Sequence, residues 1–395
     1  MAGVTFVLAA LSWIGPFSID TYLPSLPSIS KAFNAPAGQV QQTVTAFLIF
    51  FAIMSLWHGA ISDAYGRRRL TMISLSVFFF ASLGCAVSVN VQLLMFFRSL
   101  QGATAGTGMV VGRAVVRDLF EGPAAQRLMS HVATIFTIAP VVAPVLGGWL
   151  QVWFGWRSVF FFMGGLAAII LICCWRFLPE TLSHENRQPL NLGYLTRSYW
   201  KVLTQPAFIM ACGSMAFTSA GFFIYIVGAP VFLMKHLGLR ETQFLWLFLP
   251  NSIGMVIGAW ISGRCAGRIS GNQTIYLGYG VMSIAAVGNV LLNYFFPPML
   301  PWTFAPILLY VIGMSIAMPS LTLLTLDLFP SQRGLAASCQ GFISLAANSA
   351  VSAFIALAWG STLTLATTEL IMLMAGVITV LLYIKAMQKI VVPES

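Results

Sequence analysis

What most constrains this chain is a succession of apolar runs. Each is about 20 residues long, enough to cross a hydrocarbon core as a helix. They fall near residues 4–27, 39–61, 70–89, 91–116, 126–150 and 157–178, and again near 206–234, 243–263, 274–295, 302–328, 333–359 and 364–385. A backbone in lipid must satisfy its own hydrogen bonds, so runs of this length are read as helices. The predicted fold is all-α and integral to the membrane, with twelve transmembrane helices in two six-helix pseudo-repeats. Composition agrees: of 395 residues 58% are hydrophobic and 8% charged, against about 25% charged in a soluble domain. The run that begins almost at Met1 has no basic segment before it and reads as a retained first span, not a cleaved signal.

The longest polar interval, 179–205, carries Glu180, His184, Glu185, Arg187, Arg197 and Lys201. It divides the chain into an N-terminal half (1–178), a linker and a C-terminal half (206–395). The net charge of +10 does not imply nucleic acid, because the basic residues fall singly between apolar runs and not on one face or tail. They report topology: fourteen Lys and Arg lie on the side of the loop that follows span 2 at Gly59, which is also the side of the 179–205 linker, and four on the other. That asymmetry predicts a cytoplasmic linker and cytoplasmic termini. The six cysteines lie in or beside apolar runs, with no C-x-x-C and no histidine at ligand spacing, so they are read as packing residues and no metal or other cofactor is expected.

Between spans 2 and 3 lies GAISDAYGRRRL, Gly59 to Leu70. Its glycines permit a tight turn and close backbone approach, and Arg67, Arg68 and Arg69 hold that boundary at an anionic face. Asp63 can accept from Arg67 or Arg68, or cap a neighbouring helix. A gate that opens by breaking this cluster is one reading, and a plain topogenic loop is the other. Between spans 8 and 9, Gly263, Arg264, Gly267 and Arg268 fall where the pattern would recur, with Arg264 in the place of the acid. Such a degenerate copy is expected of a transporter built from two related halves.

Ionisable residues at bilayer depth are costly and mark function by default. Asp20, in SIDTYLPSLP, is the carboxylate read as lying within a span, near its outer end, where alternating wet and dry surroundings suit a group that binds and releases a proton. The alternative is a helix-end acid solvated where Pro24 and Pro27 loosen the chain. Arg98 in span 4 cannot discharge, so it must be paired with the span 1 backbone or with amides such as Gln41 and Gln101; it is read as a partner in proton coupling, or as a clamp on span 1. Arg113, Arg117 and Asp118, in GRAVVRDLF, are read with Gly59, Asp63, Gly66, Arg67 and Arg68 as gate and topology residues. Asp327 and Arg333, at the boundary between spans 10 and 11, read as solvated residues, and Glu369, near the outer end of span 12, as a surface residue, with a second titrating site as the alternative.

Several stretches carry a resemblance. G-x-x-x-D-x-x-G-R-R in the hinge, R-S-L-Q-G from Arg98, IDTYLPSLP, GRAVVRD, APVVAPVLGG followed by GWR, and LPET after span 6 resemble the major facilitator superfamily, and within it the Bcr/CflA branch of bacterial drug:proton antiporters. The likeness covers the whole first half; in the second it rests on VGAPVFL and LDLFP-x-x-x-G-x-A-x-S-x-x-G. APVVAPVLGG, with Pro140, Pro144, Gly147 and Gly148, resembles the antiporter motif, with Ala139 and Ala143 in place of its first two glycines. Ser55, His58 and Ala60 depart from the pattern.

The resemblance implies a proton-coupled multidrug efflux transporter of the bacterial inner membrane, a monomer driven by the proton gradient. It also implies a cavity for neutral or monocationic amphipathic drugs. Candidate lining residues are Tyr22, Gln41, Thr45, Phe47 and Phe136 in the first half. In the second they are Phe217, Phe222, Phe223 and Tyr225, with the amides Asn251, Gln340 and Asn348. Such a surface binds by apolar area and stacking. Export of an endogenous metabolite, siderophore or amino acid would use the same cavity chemistry. An embedded enzyme is disfavoured by the lack of H-E-x-x-H, G-x-S-x-G or paired deep carboxylates, and a channel would need neither a titrating acid nor a repeated hinge.

Overall fold

The structure, a computed structural model, describes residues 2–391 apart from 121, 184, 186 and 331; the side chains of 2–5, 122–127, 129–137 and 388–391 lie outside the description. Among the described residues the regular structure is helical throughout. The chain forms two compact units, Met1–Asn191 with Arg240–Leu245, and Leu192–Leu239 with Trp246–Ser395.

The first unit contains α1 (Ala2–Asp20), α2 (Leu26–Ala32), α3 (Ala37–Tyr65), α4 (Arg67–Ala86), α5 (Val91–Ala105), α6 (Thr107–Leu119), α7 (Gly122–Phe154) and α8 (Arg157–Phe177). The second contains α9 (Leu192–Leu203), α10 (Pro206–Val227), α11 (Leu245–Cys265, its first residue counted with the first unit), α12 (Gly271–Phe295), α13 (Ala305–Asp327), α14 (Arg333–Phe354) and α15 (Thr362–Val391). Ten segments of the described chain are long and apolar enough to cross a membrane, the first running from Phe6 to Ala32 through α1 and α2.

The remaining two of the twelve predicted spans have local explanations. Span 4 is broken at Gly106 into α5 and α6, of 15 and 13 residues. Span 5 is α7, whose described apolar stretch is Ile138–Phe154. Large apolar side chains such as Phe80, Phe154, Ile172, Trp175 and Ile284 stand exposed on the outside of the units, which suits a surface solvated by lipid tails and not by water.

Inside each unit, small residues let helices close on one another. In the first, Gly102 of α5 meets the backbone of Phe47 on α3, and Gly108 of α6 meets that of Leu11 on α1. In the second, Gly278 of α12 and Gly313 of α13 lie backbone to backbone, beside a core that includes Ile275, Met282, Tyr310, Leu321 and Leu373.

Candidate functional site

The site is built around a break in the first span. Pro24 and Pro27 cannot donate to a helical ladder, so α1 stops at Asp20 and a short 3-10 turn, Leu23–Ser25, intervenes before α2. Asp20 is only 6% exposed, and among the described residues no cation is paired with it. Beside it the hydroxyls of Thr21 and Ser25 are buried without a partner.

Arg98 of α5 is fully buried. Its Nη1 donates to the carbonyl of Ser18 on α1 at 3.0 Å and to Oε1 of Gln101 at 2.9 Å, while its guanidinium sits 4.6 Å from the Tyr22 ring centroid and 4.4 Å from that of Phe47. Aromatic faces stabilise a dry cation electrostatically. Gln101, three positions on and therefore on the same helix face, is fixed by donating to Ser82 Oγ at 2.8 Å. The R-x-x-Q-G spacing thus gives an arginine, the amide that orients it and the glycine that admits the Phe47 backbone. Nε and Nη2 of Arg98 remain without partners, a cation held by rings, a carbonyl and an amide and by no carboxylate among the described residues.

The small residues of α7 close against this break. Ala139 and Ala143 pack on Phe17 of α1, Gly147 abuts the backbone of Thr21, and Gly148 abuts that of Glu241 in the segment that joins this unit. Pro140 and Pro144 lie within the same helix.

At the other end of the unit, Gly66 turns the chain from α3 to α4 in one residue with φ 99°, a conformation glycine adopts without strain. Buried Arg67 then contacts Asp63, donates from Nη1 to Ser62 Oγ at 2.8 Å, and from Nε to Asp118 at 3.2 Å. Glu180 accepts from the backbone N–H of Arg67 at 2.9 Å and so caps the N-terminus of α4, where a carboxylate is favoured. Arg68 donates to the carbonyl of Trp175 at 2.6 Å, near the end of α8, and Thr181 donates to Asp118 at 2.8 Å. Gly59 faces Val110 of α6. Arg113 and Arg117 are exposed on α6, and among the described residues neither joins the ion cluster; of the three ionisable residues of GRAVVRD, only the acid reaches the hinge. In the second unit Gly267 has the same backbone sign as Gly66, φ 76°.

Two residues to which the sequence reading gave no role complete the first unit. Glu180 could have been suspected from its place directly after span 6. His58 is buried in α3, and its Nε2 donates to the carbonyl of Ala103 at 3.1 Å, a group near the break between α5 and α6.

The expected lining residues are dispersed. Tyr22 is fully buried, its hydroxyl donating to Thr43 Oγ1 at 2.7 Å, so in this conformation it serves the Arg98 cage and not an open surface. Gln41 and Thr45 are buried on α3, and the side chain of Phe136 lies outside the described residues. In the second unit Phe217 is 37% exposed, Phe222 and Phe223 are half-buried, and Asn251 is buried. Gln340 donates to Met215 Sδ and Thr322 Oγ1, each at 3.2 Å, and Asn348 is half-buried with an unpartnered Oδ1. Tyr225 is enclosed and receives a hydrogen bond from Asn289 Nδ2 at 2.8 Å.

Glu369 corrects the reading from sequence: it is no surface residue but 1% exposed, a second carboxylate inside a span. Its run is apolar on all sides, so nothing local marks which face turns inward; packing against α10 and α12 decides it.

An all-helical membrane protein with paired hinge turns and isolated charges inside its spans belongs to the class of secondary transporters. The chain is a member of the Major Facilitator Superfamily, whose family model matches residues 5–356. It is 30% identical over 351 residues to an uncharacterized MFS-type transporter, YdgK, of Bacillus subtilis (strain 168), covering 88% of this chain and 87% of that one. It is 25% identical to the bicyclomycin resistance protein homolog of Haemophilus influenzae, covering 72% and 71% of the two chains. To the multidrug resistance protein D of Escherichia coli (strain K12) it is 26% identical, over 85% and 84%. Among solved structures, a D-xylose-proton symporter superposes with a TM-score of 0.74 at 16% identity, covering 95% of this chain and 96% of that one, a likeness of fold.

Proposed function

We propose that the chain is a proton-driven exporter of amphipathic drugs, neutral or singly cationic, that works by alternating access as a monomer in a bacterial inner membrane with both termini cytoplasmic. The observation that carries this reading is Asp20. It is buried, it has no cation paired with it among the described residues, and it sits on the break in span 1 against which Gly147 packs. A carboxyl group so placed takes up a proton when dry and gives it up when its surroundings open to water, which is the chemistry that exchange of a proton for a drug requires. The printed names of the relatives, bicyclomycin resistance and multidrug resistance, support a drug as cargo. The distribution of Lys and Arg supports the orientation. The Asp63, Arg67 and Asp118 cluster, a contact that must part if the hinge end opens, supports the gate.

Drug-induced proton movement in inverted vesicles tests it, comparing the unsubstituted protein with Asp20→Asn over neutral and cationic antibiotics. Loss of the pH gradient on drug addition in the unsubstituted protein, abolished in Asp20→Asn, is the expected outcome. No response to any drug overturns drug export in favour of a dedicated metabolite cargo, and an unchanged response in Asp20→Asn moves the coupling away from that acid.

A further inference from the structure

The second unit holds a buried polar cluster that the reading above does not use. Glu369 lies two turns into α15, about 10 Å from its start at 1.5 Å per residue, enclosed by α10, α12 and α13. Asn289 of α12 donates one Nδ2 hydrogen to Glu369 Oε2 at 2.7 Å and the other to the Tyr225 hydroxyl of α10 at 2.8 Å. Asn293, one turn further along α12, donates to Asn289 Oδ1 at 3.0 Å and so fixes which edge of that amide faces the acid. The Tyr310 hydroxyl of α13 donates to the carbonyl of Thr218 at 3.0 Å, and Thr218 Oγ1 in turn lies 3.0 Å from the hydroxyl of Tyr279.

The titratable groups turned toward Glu369 are therefore Tyr225 from α10 and Tyr310 from α13, with Tyr279 of α12 beyond Tyr310, its hydroxyl against Ser214 and Thr218. Among the described residues no lysine, arginine or histidine pairs with it. Glu369 Oε1 is sealed from solvent without a partner. An anion needs donors on both oxygens or a counter-charge to persist in such a place; here one oxygen has a single amide donor and the other has none. Gly221 on α10 keeps the enclosure tight, since a Cβ there would lie 2.7 Å from the Tyr310 hydroxyl.

We propose that Glu369 is a second proton carrier of the transport cycle, loaded in the conformation described here and seated by the Asn289 amide. The inference rests on the proton-driven export reading and adds to it. The carboxyl O–H is held while the cluster is dry; when α15 and its neighbours part, the proton passes to water, and the anion left behind is what the next proton neutralises before the cluster can close again. Asp20 in the first unit and Glu369 in the second would then each carry one proton per cycle. A singly charged drug would leave with net charge movement, and a neutral drug with more.

Infrared difference spectroscopy of the purified full chain in nanodiscs during a pH jump reads the proton directly. With carboxyl-13C-labelled glutamate, a protonated-carboxyl band characteristic of a dry site is expected to shift with the label and to be absent in Glu369→Gln. In vesicles, Glu369→Gln is expected to halve the number of protons moved per drug and to remove the dependence of monocation export on membrane potential. Absence of any label-sensitive dry carboxyl band in the unsubstituted protein overturns the proposal without requiring a variant to fold. An unchanged proton-to-drug ratio in an active Glu369→Gln protein overturns it as well. If the unsubstituted protein moves no protons on drug addition, the export reading fails, and the infrared titration, which uses no drug, still decides whether Glu369 holds the proton.

Discussion

The backbone N–H of Arg67 donates to the carboxylate of Glu180 at 2.9 Å, across 113 positions of sequence. This bond joins the turn after span 2 to the strand of chain that leaves span 6, so the hinge is closed by an acid from outside the hinge sequence. The arrangement needs Gly66, whose positive φ presents the start of α4 to Glu180.

Gly66→Ala is therefore expected to be damaging twice over. It strains a backbone with φ 99° and ψ 149°, a region essentially restricted to glycine, by about 1–3 kcal/mol, and places a Cβ against the Glu180 carboxylate. Gly267→Ala shares the positive φ but has nothing within 4 Å of the added Cβ, so only the strain applies. Thermal unfolding in detergent should show the larger loss for Gly66→Ala; equal losses would remove Glu180 from the explanation.

Arg98 is buried without a carboxylate partner among the described residues, which marks it as costly to the fold. Desolvating a lone charge costs several kcal/mol, more than the cost of about 1–3 kcal/mol for leaving the Ser18 carbonyl without its donor. Arg98→Met is expected to unfold at the same temperature as the unsubstituted protein or higher, yet to lose drug-driven proton exchange. A clear drop in unfolding temperature together with residual exchange would make Arg98 a structural clamp.

Gly147 and Gly165 separate close approach from helix propensity. A Cβ on Gly147 would enter the backbone of Thr21, next to Asp20, whereas Gly165 of α8 has open space. Gly147→Ala should abolish transport in a protein that still reaches the membrane. Gly165→Ala should transport normally and gain up to about 1 kcal/mol, the usual effect of removing a mid-helix glycine. Normal transport by Gly147→Ala would detach the small-residue motif from the proton site.

His58 donates to the Ala103 carbonyl near the break in span 4. Leaving a buried carbonyl unmet costs about 1–3 kcal/mol, so His58→Ala should destabilise by that order. His58→Gln, which can still donate, should lose less; measured unfolding temperatures that do not distinguish the two would show that the bond contributes little.

The number and order of the spans were legible in the sequence because the length of an apolar run is a local property, set by the thickness of the hydrocarbon it must cross. The turn at Gly66 and the pairing of Arg98 with Gln101 were legible for the same reason: a positive φ needs glycine, and residues three apart share a helix face. Which face of an all-apolar helix turns inward is not local. Rotation of α15 about its axis placed Glu369 beside Asn289 instead of in lipid, and the fold-back after α8 brought Glu180 to Arg67 while Arg113 and Arg117 stayed outside. Those positions follow from the packing of helices distant in sequence, where no single run carries a periodic signal to betray its buried side, and so the tertiary structure alone decided them.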